Sequence, residues 1–565
     1  MDFVTMNILD SAMVSICREM GITLMKTSYS TIFNEALDFT CGLADMNGDM
    51  IAVADYCPAQ IGGMPLLVQS CLKEIPISEI DEGDIILHND PYRGGLHTPE
   101  HTFFKPIFVE GEIMGFAVAI GHIAEVGGMA PGGFCGEATE IFHEGVRIPP
   151  VKIIKQGKDN VEVWKLLLAN VRTPRVNYGD LKALIAAVDL GEKQMQGIFT
   201  KYGKAKVKKT VSDLLLYSEK RMRAELEAIP DGIYSFEDYV ESDGVESDKH
   251  HRIYVDIHKN GGSIVMDYHG TSPQAAGPIN ATLGVATSAA YNAVLHMTDP
   301  TIPRNSGCFR PIEVMAPPTS LVNVDYPAPE VGGNTETHPR IVGTILGAMS
   351  KALPDRVMAS EGGTHCNFVF GGVDAATNEY FACYDLEAVG WGGRSFADGN
   401  SAVDSINGNC RITPVEVYET RFPWLIESLA LDTDSGGAGR HRGGLGYTKQ
   451  MLCVNDEIIC SQMTDRHLLA PWGLDGGHEG GCGATMVMKD GKDEWETMRE
   501  AYGKASTSRF NNVSIRRGDR VQLRMPGGGG YGDPAERDSD AVLRDLKDGY
   551  ISKEAAKKYY GYKEA

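Results

Sequence analysis

The sequence lacks several patterns that mark common classes of protein. Its twelve cysteines are scattered without a C-x-x-C pair, which disfavours a zinc ribbon or a thioredoxin-type redox site. No segment has the roughly 20 apolar residues that a membrane-spanning helix needs. The net charge is −23, and the densest basic run is only KAKVKK at 204–209, so we expect no nucleic-acid or membrane surface. With no signal-peptide pattern in MDFVTMNILDSAM, these absences favour a cytoplasmic protein with reduced cysteines.

Phosphate-binding and triad-hydrolase motifs are also missing. The stretches GGAGRHRGGLG (436–446) and PGGGGYGDP (526–534) are rich in glycine. Neither matches G-x-x-x-x-G-K-[ST] or opens a helix after a predicted parallel strand, so we expect no ATP or NAD bound by those routes. We interpret both stretches as tight turns or close chain crossings. The sequence contains no G-x-S-x-G motif, which disfavours a serine hydrolase.

The apolar pattern predicts an α+β protein of antiparallel sheets with packed helices. Apolar spacing predicts a helix over 7–28 and two long helices within 179–229, the first beginning at Asp180 and ending at Gly203. Turns at 47–48, 110–111 and 260–261 predict antiparallel hairpins. Five units are predicted: a metal-site α+β domain (1–178), a helical segment (179–229), an α+β domain (230–355), a glycine-rich β domain (356–535) and a short helical tail (536–565).

The stretch HNDPYRGGLHTPEHTFF concentrates metal-binding side chains where proline and glycine prevent a regular helix. His97 and Glu100 form an H-x-x-E pair on this predicted turn, and His122 follows where an apolar strand ends. Asp38 and Glu35 lie at the entry to an earlier strand. Two imidazoles and two carboxylates suit Zn²⁺, Mn²⁺ or Fe²⁺.

A solvated, histidine-rich loop is the alternative interpretation of the same stretch. A lone histidine at a strand end is more often structural than a metal ligand, and H-x-x-E arises easily by chance in a chain with 15 histidines. Three further histidines compete for any ligand role: His88, His101 and His143. Spacing alone therefore leaves the metal site open.

Six blocks resemble, in order, landmarks of the hydantoinase B/oxoprolinase family across essentially the whole chain. They are SYSTIFNEALDFTCGLADMNGDMIA, HNDPYRGGLHTPEHTFFKPIF, GHIAEVGGMAPGG, EIFHEGVRIPPVKI, GGAGRHRGGLG and PGGGGYGDPAERD. The resemblance implies a B-type subunit with a divalent-metal site, whose ligands map onto Asp38, His97, position 100 and His122. Position 100 is Glu100 where the family pattern has Asp, which keeps the donor atoms but leaves the identity of the metal open.

The resemblance also implies a partner and a choice of reactions. The A-type partner, an ATP-binding chain with an actin-like fold, phosphorylates the substrate carbonyl, and the pair forms a heterotetramer. In an ATP-dependent cyclic amidase, water activated by the metal would open a hydantoin, oxoproline or lactam ring, with Glu125 or Glu35 as general base. The alternatives are an ATP-dependent ketone carboxylase of the acetone or acetophenone type, which the chain length disfavours, and a non-catalytic assembly subunit, which only Glu100 favours.

Overall fold

The N-terminal part of the protein is a seven-stranded sheet flanked by helices. In the computed structural model, which describes residues 2–246 and 249–563, the strands run in the order β2-β1-β5-β4-β3-β6-β7, and every pairing is antiparallel. The elements are α1 (Phe3–Thr27), α2 (Thr31–Asn34), β1 (Phe39–Ala44), β2 (Met50–Val53), α3 (Pro58–Glu74), β3 (Ile85–His88), β4 (Glu100–Val109), β5 (Glu112–His122), β6 (Val151–Lys155) and β7 (Lys158–Asp159). The predicted hairpins at 47–48 and 110–111 are confirmed.

Three helices follow this sheet: α4 (Val161–Leu168), α5 (Pro174–Tyr202) and α6 (Lys204–Glu227). The predicted start of α5 at Asp180 is wrong. The helix begins at Pro174, because proline fits the first helical turn without losing a hydrogen bond. Asp180 is instead buried within α5 and accepts hydrogen bonds from the backbone N–H of Tyr29 and Ser30 at 2.7 and 3.1 Å. It ties α5 to the segment after α1, and the predicted end at Gly203 is confirmed.

A four-stranded sheet in the order β11-β10-β9-β8 follows. Its elements are β8 (Gly232–Val240), β9 (His251–Asn260), β10 (Ser263–Asp267), α7 (Leu283–Met297), α8 (Ser306–Phe309), β11 (Ile312–Met315) and α9 (Thr337–Met349). The hairpin at 260–261 is confirmed, and only β10 and β11 pair in parallel in this sheet as described. Small residues on α7 let it pack closely between α3 and α9.

Two further antiparallel sheets, β13-β12-β16-β19 and β14-β15-β20-β17-β18, form the C-terminal part. Its elements are β12 (Asn367–Val373), β13 (Tyr380–Asp385), α10 (Val415–Arg421), β14 (Trp424–Leu431), β15 (Tyr447–Cys453), β16 (Glu457–Met463), β17 (Ala484–Met488), β18 (Glu496–Thr497), α11 (Met498–Tyr502), β19 (Arg509–Arg516), β20 (Arg520–Arg524), α12 (Ser539–Asp548) and α13 (Lys553–Tyr560). The glycine-rich stretches cross here: a Cβ on Gly443 would overlap the carbonyl oxygen of Gly528. Their interpretation as chain crossings is confirmed.

The sheets and helices together confirm the predicted α+β class. One hydrophobic core joins α1, the first sheet and α5, and it reaches strands β12, β13 and β16 of the C-terminal part. A second core joins the other face of the first sheet to the sheet of β8–β11. The predicted domain boundaries stay a prediction. Within the described ranges, no helix is both long and apolar enough to span a bilayer.

Candidate functional site

Three of the predicted ligands lie side by side at one end of the first sheet, where three neighbouring strands begin or end. Asp38 directly precedes β1, His122 ends β5, and Glu100 begins β4. The antiparallel register pairs Glu100 with His122 and Phe39 with Gly121. The backbone N–H of His122 also donates to the carbonyl of Asp38 at 3.1 Å. Adjacent strand ends are rigid supports, so their side chains are held in fixed relative positions.

His97 reaches the same end of the sheet from the turn before β4. The centroids of the His97 and His122 rings are 5.0 Å apart, close enough for both to contact one ion at the ~2.0–2.1 Å usual for Zn–N bonds. His97 Nε2 lies 3.6 Å from Glu100 Oε1, and His122 Nδ1 lies 3.7 Å from Asp38 Oδ2. All four side chains are buried. The structure therefore brings the four predicted ligands together.

Hydrogen bonds from neighbouring residues orient these side chains. Gln60 Nε2, from α3, donates to both Asp38 Oδ1 at 3.0 Å and Glu100 Oε1 at 3.1 Å. Asn334 Nδ2 donates to Glu100 Oε1 at 3.1 Å. His97 Nδ1 lies 3.0 Å from the carbonyl of Val331, which accepts only, so Nδ1 carries the proton and Nε2 presents its lone pair.

The chemistry of this cluster fits a divalent cation. His97 Nε2, His122 Nε2 and Glu100 Oε2 are buried without a hydrogen-bond partner, which is costly unless something else binds them. Within residues 2–246 and 249–563, no group of three or more His, Cys, Asp or Glu side chains lies close enough together to hold a metal ion as it stands. Gln60 and Asn334 occupy Oδ1 of Asp38 and Oε1 of Glu100 instead. The donor set and the unpartnered atoms fit a cation, although the atoms are not drawn together around one.

Burial shifts the pKa of two side chains of the cluster, Asp38 and His122. Burial, with the neighbouring Glu100 carboxylate, raises the pKa of Asp38 to about 7. Burial, with His97 nearby, lowers the pKa of His122 well below its usual range. A bound cation would reverse the first effect, because it favours the ionised carboxylate.

Aromatic rings hold His122 from one side. The Tyr384 ring stacks on the His122 ring with centroids 4.0 Å apart and an angle of 15°. Phe134 lies nearly parallel to both rings. The Tyr384 hydroxyl donates to Asn367 Oδ1 at 2.9 Å, so the ring that covers His122 is itself fixed.

The two predicted general bases lie outside this cluster. Glu125 is buried and accepts hydrogen bonds from the backbone N–H of Gly127 and Gly132, and it pairs with Arg172 at 3.3 Å. Glu35 is half-buried at the end of α2. Among the described residues, neither carboxylate forms a hydrogen bond or ion pair with the four predicted ligands. Their role stays a prediction.

The competing histidines do not join the site either. The ring nitrogens of His88 face the carbonyls of Ile148 and Arg93 at 3.3 and 3.2 Å. His101 Nδ1 lies 3.1 Å from the carbonyl of Pro99, and it points away from His122 because it follows Glu100 on β4. The third, His143, receives a hydrogen bond from the backbone N–H of residue 139.

Sequence reasoning missed a second set of polar residues beside the cluster. His365 Nδ1 lies 3.3 Å from Asp404 Oδ1, and His365 Nε2 lies 2.9 Å from Asn407 Oδ1. Asn407 Nδ2 donates to the carbonyl of Asn334 at 2.9 Å. Burial opposes a charge on His365, but Asp404, together with Glu336 and Asp38, outweighs burial and raises the pKa of His365 to about 9. No sequence motif marks these residues.

Comparisons with known proteins agree with this fold. A family model described as hydantoinase B/oxoprolinase matches residues 2–534. The B subunit of a putative D-/L-hydantoinase from Pseudomonas sp. (strain NS671) is 33% identical, covering 99% of this chain and 95% of its own. The crystal structure of the ATP-dependent caprolactamase from Pseudomonas jessenii matches with a TM-score of 0.91 and 29% identity, covering 99% and 96% of the two chains. A nucleotide-free acetone carboxylase shares the fold, with a TM-score of 0.91 at 20% identity over 99% of this chain and 79% of the other.

Proposed function

This chain belongs to the hydantoinase B/oxoprolinase family, and from that premise we propose that it is the B-type subunit of an ATP-dependent cyclic amidase. Its substrate would be a hydantoin, an oxoproline or a lactam, and it would hold a divalent cation between Asp38, His97, Glu100 and His122. The observation that carries the proposal is the meeting of two imidazoles and two carboxylates at one end of the first sheet, with both Nε2 atoms unpartnered.

The surrounding residues have defined tasks in this proposal. When bound, the cation supplies Lewis acidity, which lowers the pKa of water and polarises a carbonyl oxygen. The Val331 carbonyl fixes the tautomer of His97, and Tyr384 fixes the ring of His122. Gln60 keeps the two carboxylates side by side by donating to both. Together these contacts reduce the reorganisation needed when the cation binds.

The extra methylene of Glu100, compared with aspartate, gives its carboxylate a longer reach, and the contacts of its two oxygens make use of it. One of its oxygens accepts from both Gln60 and Asn334, while Oε2 has no partner. We propose that Oε2 is the ligand atom. This assignment makes Glu100 an adapted ligand, and it removes the sole reason for regarding the chain as a non-catalytic assembly subunit.

The activation step belongs to the A-type partner in this proposal. That partner would use ATP to phosphorylate the carbonyl oxygen of the substrate, and the two chains would form a heterotetramer. Support for a partner comes from the relative in Pseudomonas sp., which is itself one subunit of a putative hydantoinase. A general-base role for Glu125 would require that carboxylate to release Arg172, whereas Glu35 has no such ion pair among the described residues.

Metal content and ring opening test the proposal together. The chain, purified together with an A-type partner, should contain about one divalent ion per B-type chain by elemental analysis. With ATP it should release ADP in step with opening of hydantoin, 5-oxoproline or ε-caprolactam. We expect His122→Ala to lose the ion and to slow turnover by at least ~100-fold.

His101→Ala is the matched control, since it removes a buried histidine from the same sheet without touching the cluster. It should keep both the ion and the turnover. Full metal content and full turnover in the His122→Ala protein would contradict the proposal. Fixation of labelled bicarbonate onto acetone or acetophenone, without ring opening, would favour a ketone carboxylase, with which the chain shares its fold.

A further inference from the structure

A cavity of about 370 Å³ lies beside the candidate site, and its wall is largely apolar. It is enclosed by α3, α7 and the segment 391–410. Tyr291 and Phe309 stack on each other in this wall, with ring centroids 4.2 Å apart. The volume falls within the ~300–1,000 Å³ typical of small-molecule sites. Further apolar side chains in the wall are Ile61, Leu295, Ile302 and Trp391.

The cavity and the candidate site are shaped by the same stretches of chain. On α3, Ile61 lines the cavity, while the preceding residue, Gln60, donates hydrogen bonds to the carboxylates of two predicted ligands. Ile406 also lines the cavity, while the next residue, Asn407, donates to the carbonyl of Asn334. A ligand in the cavity would therefore lie close to the residues that position the predicted ligands.

The mouth of the cavity carries more positive than negative charge. Arg304 lines the cavity and pairs with Oδ1 of Asp55, while Arg18 pairs with Oδ2 of the same carboxylate at 2.9 Å. Asp299, which also lines the cavity, pairs with Arg221 at 2.5 Å. Three guanidinium groups therefore face two carboxylates, and these five groups together carry one net positive charge.

Arg304 has donors to offer to a ligand at this mouth. A guanidinium has five N–H donors in a fixed fork, and one carboxylate engages at most two of them, so Asp55 leaves about three. Burial lowers the pKa of Arg304, and the nearby Arg18 lowers it further. Both effects indicate a cation that is partly desolvated beside a like charge. An anionic ligand would offset this repulsion and accept from the remaining donors.

Asp404 also lines the cavity, but its charge is matched within the protein. Its carboxylate accepts hydrogen bonds from the backbone N–H of Ser405 at 2.8 Å and Cys410 at 2.7 Å. His365 Nδ1 lies 3.3 Å from it, and the raised pKa of His365, about 9, keeps that ring protonated at neutral pH. The charges of Asp404 and His365 therefore cancel, and the positive excess at the mouth remains.

We infer that this cavity binds a small organic carboxylate, with its apolar body against the aromatic and aliphatic wall and its carboxylate on Arg304. Two ligands of this chemistry follow from the proposed function, on which their identification rests. One is a substrate ring that itself bears a carboxylate, such as 5-oxoproline. The other is a ring-opened product, because hydrolysis of a cyclic amide adds water across the C–N bond and leaves a carboxylate and an N–H group.

Binding of two matched probes to the purified chain tests the charge preference without turnover. The probes are 3-phenylpropionate and 3-phenylpropionamide, which share one apolar body and differ only in the carboxylate. In titration calorimetry the acid should bind at least ~10-fold more tightly than the amide, as expected for charge-assisted hydrogen bonds to a guanidinium. Saturation-transfer NMR should show the phenyl protons of the acid in contact with the protein.

Variants at the mouth test the role of Arg304. Arg304→Gln should weaken binding of the acid at least ~10-fold and leave binding of the amide unchanged. Arg310→Gln is the matched control: its side chain is 38% exposed, against 39% for Arg304, and it also pairs with an aspartate, but it does not line the cavity. Asp55→Asn should instead tighten binding of the acid ~3-fold or more, because it removes the carboxylate that competes for the guanidinium groups.

A second pair of variants tests the apolar part of the cavity. Leu295→Trp fills the cavity and should weaken binding of both probes at least ~10-fold, since the phenyl ring is then excluded. Leu72→Trp is its control, since Leu72 is also a partly buried helix residue packed against the same core but does not line the cavity. It should leave both affinities unchanged, and circular dichroism verifies that each variant is folded.

Competition against the bound acid distinguishes the two sources of the ligand. Displacement by 5-oxoproline identifies a carboxylate-bearing ring, and displacement by N-carbamoylphenylalanine identifies the ring-opened product of a hydantoin. Displacement by neither compound would overturn the assignment to a substrate or a product.

The remaining outcomes separate this inference from the proposed function. Equal affinity of the wild-type chain for acid and amide, or equal effects of Arg304→Gln and Arg310→Gln, would overturn the role of Arg304, and so would weaker acid binding by Asp55→Asn. No binding of either probe, or equal binding by Leu295→Trp and Leu72→Trp, would overturn the cavity assignment. Binding of the acid by a chain whose complex with the A-type partner opens no ring would refute the cyclic amidase and leave the carboxylate site standing.

Discussion

The buried His365–Asp404 pair gives the protein a measurable titration near pH 9. Asp404, together with Glu336 and Asp38, outweighs the effect of burial and raises the pKa of His365 from 6.5 to about 9. A difference of about 2.5 at ~1.36 kcal/mol per pKa unit corresponds to roughly 3 kcal/mol. This stabilisation is fully present below about pH 6.5, where the unfolded histidine is also protonated, and it is lost as the pH rises through 9.

Selective labelling of the histidine rings permits a direct test by NMR on the chain stripped of metal with a chelator. The His365 resonance should titrate with a midpoint near 9. In the Asp404→Asn variant the midpoint should fall to 6.5 or lower, because burial then acts without its main opposing charge. The variant should also lose most of the stability difference between pH 6.5 and pH 10.

His101 serves as an internal reference in the same spectra. Burial lowers its pKa to about 4, so its resonance should not move between pH 6 and pH 10. A His365 midpoint below 7 in the wild-type chain would refute the reasoning, and so would an Asp404→Asn variant that titrates like wild type.

Two further predictions concern single residues. Glu100→Asp withdraws the carboxylate from Asn334, whose buried amide then lacks its acceptor, whereas Gln60 still donates to Asp38. We expect the metal-free chain to lose ~1 kcal/mol or more of stability, and a thermal midpoint equal to that of wild type would contradict this. Gly443→Ala places a Cβ against the Gly528 carbonyl. We expect the free energy of unfolding to fall by ~2 kcal/mol or more, seen as an unfolding transition at lower temperature. The control Gly197→Ala adds a Cβ in open space and should not destabilise the chain.

The four predicted ligands were suggested by motifs at strand ends and by the family resemblance, and the structure brings them together, while their role as ligands stays a prediction. The residues that orient them carry no such signal. Gln60 lies inside an apolar helix, Asn334 is 234 positions from the Glu100 carboxylate that it contacts, and Asp404 follows a loop without a pattern. Their contacts depend on how α3 and the later segments pack against the first sheet, which local periodicity does not specify.

The start of α5 illustrates the same limit on a smaller scale. Asp180 has the residue type of a helix cap, and Pro174 has the residue type of a first-turn residue. Local residue preferences alone permit α5 to begin at either position. The tertiary hydrogen bonds from Tyr29 and Ser30 to Asp180 favour the earlier start, because they need the carboxylate on the buried side of a helix already formed.

Helix α3 contacts both a cavity and two of the predicted ligands, and this arrangement has a thermodynamic consequence. Ile61 on this helix lines an apolar cavity, and the adjacent Gln60 donates hydrogen bonds to the carboxylates of Asp38 and Glu100. A ligand that binds in the cavity and shifts the helix would change the distance between the Asp38 and Glu100 carboxylates. Linkage then requires reciprocity: the factor by which an ion alters the affinity for the cavity ligand equals the factor by which the cavity ligand alters the affinity for the ion.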